Sequence, residues 1–155
     1  MFSALIVHAR PEPALTLTLS RLVEAAVAGL LADVAIADFC DDPLAARLAE
    51  EGGCALKRLA GDPTQALARM IGEARAEWMF VAASGLAPAP GWAQAARETL
   101  TLAAAQGPRR PGLAGAFFTA PRRGLLGRLS AVDGAVLARR ATLAQAKLSP
   151  RRPGR

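Results

Sequence analysis

Short apolar runs alternate along this chain with apolar residues spaced by threes and fours. Ala4-Leu5-Ile6-Val7, ending at His8, reads as a first strand. Arg10-Pro11-Glu12-Pro13 stops it, because proline lacks the N–H a ladder needs and holds φ fixed. Leu15, Leu19, Leu22, Val23, Ala26, Val27 and Leu30 then recur at helical spacing. Val34-Ala35-Ile36-Ala37 is a second strand-length run, ending at Asp38. The turn Cys40-Asp41-Asp42-Pro43 offers Asp41 or Asp42 as a helix N-cap, with Pro43 at the first helical position. Leu44, Ala45, Leu48 and Ala49 mark a short helix that stops at Gly52-Gly53, and Cys54-Ala55-Leu56 predicts a third strand.

Gly61-Asp62-Pro63 breaks the chain before a helix striped by Leu67, Met70, Ile71 and Ala74. Trp78-Met79-Phe80-Val81-Ala82 is the strongest strand signal in the sequence. A glycine- and proline-rich loop from Ser84 to Gly91 leads to a helix over 92–105. Beyond the linker Pro108-Arg109-Arg110-Pro111-Gly112, the pattern predicts a strand over 113–118 and a short helix near Leu125-Leu126. A strand near Ala135-Val136-Leu137 and a helix over 139–147 follow. Trp78 and Trp92 sit inside strand and helix patterns and read as core residues. The expectation is one α/β domain over 1–148, with a basic, disordered tail over 149–155.

Alternation of strand and helix predicts a three-layer α/β fold, a mainly parallel sheet with helices on both faces. In such sheets ligands bind beyond the carboxyl ends of the strands. The ends of strand one (8–12), strand two (38–42) and strand four (83–86) are therefore expected to share one rim.

Composition narrows the function classes. Hydrophobic residues make up 52% of 155, which is enough to build a core. Lys and Arg outnumber Asp and Glu by 19 to 13, and the excess lies in the last third. That basic third reads either as a solvated face or as a surface for an anionic partner. Nucleic acid is not the expected partner: aromatics are 5%, Tyr is missing, and no recognition helix is evident. No apolar run approaches the roughly 20 residues that span a bilayer, and no leader peptide is evident. A cytoplasmic location follows as an expectation, with peripheral contact to a membrane left open. One His and two scattered Cys, Cys40 and Cys54, match no zinc pattern, so no metal site is expected. Any serine or cysteine nucleophile would have to use His8, and a histidine ending a strand is more commonly a satisfied structural residue. Neither a phosphate loop nor a dinucleotide fingerprint is present.

Several segments together carry a family resemblance. The run from Val34 through Asp38 to Asp42 resembles the strand and acidic turn, V-D-D-G-S-x-D, of family 2 glycosyltransferases. The segment from Ala74 to Gly85 is similar to that family's A-R-G-D-x-L-x-F-L-x-A-D, and 86–92 resembles its L-x-P-x-W continuation. Gly52-Gly53-Cys54 and Gln65 fall where bacterial members place a glycine and a polar residue. The run from Asp133 to Arg140 resembles a degraded G-D-x-x-F-x-R-R. The resemblance implies a GT-A fold, also called nucleotide-diphospho-sugar transferase-like, and a protein that transfers or binds a sugar from a nucleotide-sugar donor. The alternative it leaves open is a catalytically inactive relative that binds a nucleotide or nucleotide sugar.

Carried over residue by residue, the resemblance assigns Asp38, Glu12 and Asp41 to nucleotide binding and Asp133 to the acceptor side. Asp38 also reads as a turn residue, and Asp41 and Asp42 as caps. The family's D-x-D motif, which holds Mg²⁺ or Mn²⁺ on the diphosphate, falls on Ala83, Ser84 and Gly85. No carboxylate stands there. Cofactor binding is therefore not expected, although Gly85 would let backbone approach a phosphate. Arg122, Arg123 and Arg128 are either diphosphate clamps in place of the metal or solvated surface residues. The family's catalytic base motif has no counterpart, and no catalytic residue is assigned.

Overall fold

The computed structural model describes residues 1–9, 14–105, 113–114 and 135–145. Its order is β1 (Phe2–His8), α1 (Ala14–Val27), β2 (Leu31–Asp38), α2 (Pro43–Gly52), β3 (Ala55–Arg58), α3 (Pro63–Glu73) and β4 (Trp78–Ala83). These are followed by α4 (Trp92–Ala105), β5 (Leu113–Ala114), β6 (Ala135–Arg139) and α5 (Arg140–Gln145). The six strands form one sheet in the order β3-β2-β1-β4-β6-β5. β1 pairs in parallel with β2 and β4, and β2 with β3. β6 runs antiparallel to β4 and to β5, so parallel pairing ends at β4.

The central strands β1 and β4 are buried on both faces, which is why they read as continuous apolar runs. Side chains alternate across a strand. Phe2, Ala4 and Ile6 of β1 and Trp78, Phe80 and Ala82 of β4 pack on one face against α1, α2 and α4. Leu5, Val7, Met79 and Val81 pack on the other against Leu67, Met70 and Ile71 of α3 and Leu143 of α5. The result is three layers. Both tryptophans are core residues. Trp92 stacks 5.0 Å from Phe80 and 5.9 Å from Phe2, and its indole N–H donates to the Arg21 carbonyl at 3.1 Å.

Several expectations shift at their edges. The stripe of α1 was expected to bury Val23 and Val27. Both are exposed: the buried face of α1 runs through Leu15, Leu22 and Ala25, and Val23 and Val27 point away from it, while Leu30 beyond Gly29 (φ +68) is buried as expected. The third strand starts after Cys54 and runs to Arg58, and β2 starts three residues before the apolar run, at Leu31. Of the strand expected over 113–118, only 113–114 lies within the described residues, as does 140–145 of the last helix. The short helix near Leu125-Leu126 and the tail over 149–155 lie outside them.

Candidate functional site

The carboxyl ends of β1, β2 and β4 converge, and strand order reverses between β1 and β4. The resulting crevice is where sheets of this kind receive ligands. Register makes the convergence specific: His8 pairs with Asp38, and Val7 with Ala83. The ladder continues past the strands. Phe39 donates its N–H to the His8 carbonyl at 2.8 Å, and Ser84 donates to the Val7 carbonyl at 2.9 Å. His8, Asp38 and Ser84 thus arrive side by side although they lie as much as 76 residues apart.

A chain of buried hydrogen bonds links them. Asp42 caps α2, accepting the Leu44 N–H on Oδ1 at 2.9 Å, with Pro43 beginning the helix. The sequence left Asp41 and Asp42 open as the cap, and the structure selects Asp42. The other oxygen of Asp42 lies 2.8 Å from Nε2 of His8. A carboxylate only accepts, so Nε2 carries the proton, and in the neutral ring Nδ1 accepts from the Ser84 hydroxyl at 2.9 Å. This hydrogen bond to His8 holds the Asp42 carboxyl below its ordinary range. Asp38 is buried and organises the turn: it accepts the Cys40 N–H on Oδ1 and the Asp42 N–H on Oδ2, both at 3.0 Å. The Cys40 thiol lies 3.4 Å from Asp38 Oδ1. Burial, followed by the hydrogen bond and charge of Asp38 and the charge of Asp42, pushes that thiol up to about 12.

The Ser84, His8 and Asp42 sequence of contacts has the order of a nucleophilic triad but not its surroundings. His8 is fully buried. The N–H groups that would stabilise an oxyanion are donated inside the fold: Ser84 to Val7, Gly85 to Thr18 Oγ1, and Leu86 to Ala83. The contacts instead strap β1, β4 and α2 together, as a satisfied histidine does.

Asp41 is exposed, has a positive φ of 53, and pairs with Arg58, whose Nε lies 2.9 Å from its carboxylate. Asp38, Phe39, Cys40, Asp41, Arg58, Leu59 and Ala60 line an open groove of about 410 Å³ beside the rim. A smaller cavity of about 120 Å³ near the starts of the strands is remote from these residues.

Ala83, Ser84 and Gly85 lie at the end of β4. The turn from Ala83 to Leu86 places Gly85 at φ +91, a conformation that favours glycine. A divalent metal does not fit these three residues: two carry no ligating atom, and the Ser84 hydroxyl is held by His8. Glu12 and Asp133 lie outside the described residues, as do Arg122, Arg123 and Arg128. Of the late basic residues, Arg139 and Arg140 are described and half-buried. Arg139 pairs with Glu77 and stacks 5.1 Å over Trp78, and Arg140 donates to the Ala74 carbonyl.

Compared with solved structures, the chain is similar to the crystal structure of S. aureus TarS, residues 1–349, with a TM-score of 0.60 and 15% identity. The fold is glycosyltransferase-like. The match covers 91% of this chain but 48% of the TarS chain, so this chain spans about half the length of the structure it resembles. No protein-family model matches the sequence, and no curated protein does. None of the described helices is long and apolar enough to cross a membrane.

Proposed function

We propose that this chain is a nucleotide-binding, glycosyltransferase-like domain whose ligand, a nucleotide or nucleotide sugar, lies over the carboxyl ends of β1, β2 and β4. The observation that carries the reading is the open groove beside that rim, lined from the ends of β2 and β3, in a fold of glycosyltransferase type. Within the groove, Arg58 is the exposed cation and offers a planar fork for phosphate. Asp41 presents a carboxylate to ribose hydroxyls or a base N–H. Asp38 acts one step behind: its two oxygens set the turn that carries Cys40 and Asp41.

The reading is of binding rather than of metal-assisted transfer. The residues of the D-x-D position, Ala83, Ser84 and Gly85, favour this version, because none supplies a carboxylate. A basic surface meeting an anionic partner and a cytoplasmic location remain part of the proposal.

Calorimetric titration of the full chain with UDP and UDP-sugars, with and without Mn²⁺, tests the reading. Binding is expected to be the same with and without Mn²⁺, and Arg58→Ala to weaken it by about 1.5–3 kcal/mol, the range for a hydrogen bond to a charged group. At 100 times its dissociation constant the ligand is expected to stabilise the fold by about 2.7 kcal/mol. No binding across a panel of nucleotide sugars would remove the proposal. Binding unaffected by Arg58→Ala would move the ligand out of this groove.

A further inference from the structure

The rim holds a set of donors that nucleotide binding does not use. One nitrogen of His8, one carboxylate oxygen of Asp38 and Sγ of Cys40 all lie within 4.8 Å of one another. His8 and Asp38 are buried, and Cys40 is half-buried beside the groove. The cluster is unlike a surface acidic patch, because it combines imidazole, carboxylate and thiol at the ends of two adjacent strands and in the turn that follows β2. We infer that His8, Asp38 and Cys40 form a binding site for a borderline-soft transition metal, with zinc as the fitting ion.

Three observations favour a cation there. The first is spacing. Cys40 Sγ and Asp38 Oδ1 stand 3.4 Å apart. Zinc–sulfur and zinc–oxygen distances of about 2.3 and 2.0 Å at a tetrahedral angle put those two atoms roughly 3.5 Å apart. The second is charge. Two buried carboxylates, Asp38 and Asp42, lie beside a single imidazole, and Arg58 pairs with the exposed Asp41 rather than with either of them. The third is ligand hardness. A nitrogen, oxygen and sulfur set suits Zn²⁺ or Co²⁺, whereas Mg²⁺ and Mn²⁺ prefer all-oxygen sites.

Binding replaces the hydrogen bond on the imidazole nitrogen that meets the metal. The other nitrogen keeps its partner, Asp42 or Ser84, which fixes the ring as outer-shell groups do. Cys40 loses its proton to solvent as the sulfur–metal bond forms, so one proton leaves per ion bound. Three protein donors leave a fourth position, and Cys40 borders the groove through which water or a ligand oxygen would reach it.

Cobalt titration of the reduced, full chain tests the site without any nucleotide, so its outcome is independent of the nucleotide reading. Expected are one Co²⁺ per chain, a near-ultraviolet thiolate-to-cobalt charge-transfer band, and loss of that band when Zn²⁺ is added. Cys40→Ser is expected to abolish the band and weaken Zn²⁺ binding by more than the roughly 10–100-fold typical of outer-shell changes. Cys54→Ser is expected to leave both unchanged. His8→Gln gives a second reading of the site, with folding checked by circular dichroism. If His8→Gln does not fold, the wild-type and Cys40→Ser spectra still decide. No charge-transfer band in the wild-type chain with cobalt in excess would overturn the inference. A band that survives in Cys40→Ser or disappears in Cys54→Ser would overturn it equally.

Discussion

Asp42 joins the local and long-range parts of the rim through two oxygens. One caps α2 and the other meets His8, so truncation removes a cap and leaves a buried imidazole N–H without its acceptor. Asp42→Ala is expected to destabilise the fold by about 2–4 kcal/mol, the sum of the two costs, as read by denaturant unfolding. Its pH dependence has a definite sign. The folded carboxyl titrates below its ordinary value of 3.8, so its support is complete above that value. Support is lost as pH falls toward the folded pKa. The acid limb of a stability–pH curve should therefore flatten in Asp42→Asn. Cys40 behaves oppositely. Its thiol titrates near 12 rather than 9.0, so stability should fall as pH rises between those values, where only the unfolded thiol ionises. Metal-free Cys40 should also be alkylated slowly at pH 8, as mass spectrometry of the iodoacetamide-treated chain would show.

α2 and α3 begin with the same device. Asp42-Pro43 and Asp62-Pro63 each place an aspartate at the N-cap and a proline at the first helical position, where its missing N–H costs nothing. α2 ends at Gly53, which has φ +63 and donates to the carbonyls of Ala49 and Glu50. An added Cβ there meets nothing within 4 Å, so the cost of Gly53→Ala comes from the backbone alone, about 1 kcal/mol. Gly72 lies inside α3 with equally open space and without a positive φ. Gly72→Ala should therefore stabilise the fold, by about 0.5–1 kcal/mol. Thermal unfolding of the pair should move in opposite directions, by roughly 2–4 °C per kcal/mol. Equal shifts of one sign would mean that space rather than backbone conformation governs Gly53.

Across the whole molecule, the two-faced burial of β1 and β4 is the main source of stability. Phe80 lies fully buried between Phe2 and Trp92, at 6.0 and 5.0 Å. Phe80→Ala is expected to cost about 3–5 kcal/mol in denaturant unfolding. The same architecture sets the rim, because parallel strands β1, β2 and β4 end on one side. The antiparallel β6 shows that the doubly wound order stops at β4, and its Arg139 stacks over Trp78 of that strand.

Most of the architecture was legible in the chain itself. Apolar runs buried on both faces and helical stripes between them predict a layered, mainly parallel sheet, because local spacing and side-chain alternation act over a few residues. The Asp-Pro starts and the Gly-Gly stop were legible for the same reason. Polarity of the last strand was not, since nothing in Ala135-Val136-Leu137 records which way its neighbour runs. The chemistry of the rim was less legible still. One His and two scattered Cys match no zinc pattern, Asp38 reads as a turn residue or nucleotide contact, and His8 reads as a strand end. Only pairing of β1 with β2 puts His8 beside Asp38, and only pairing of β1 with β4 brings Ser84 to the same ring. These contacts span 30 (8 to 38) to 76 residues, and no local pattern encodes which distant side chains a sheet register will bring together.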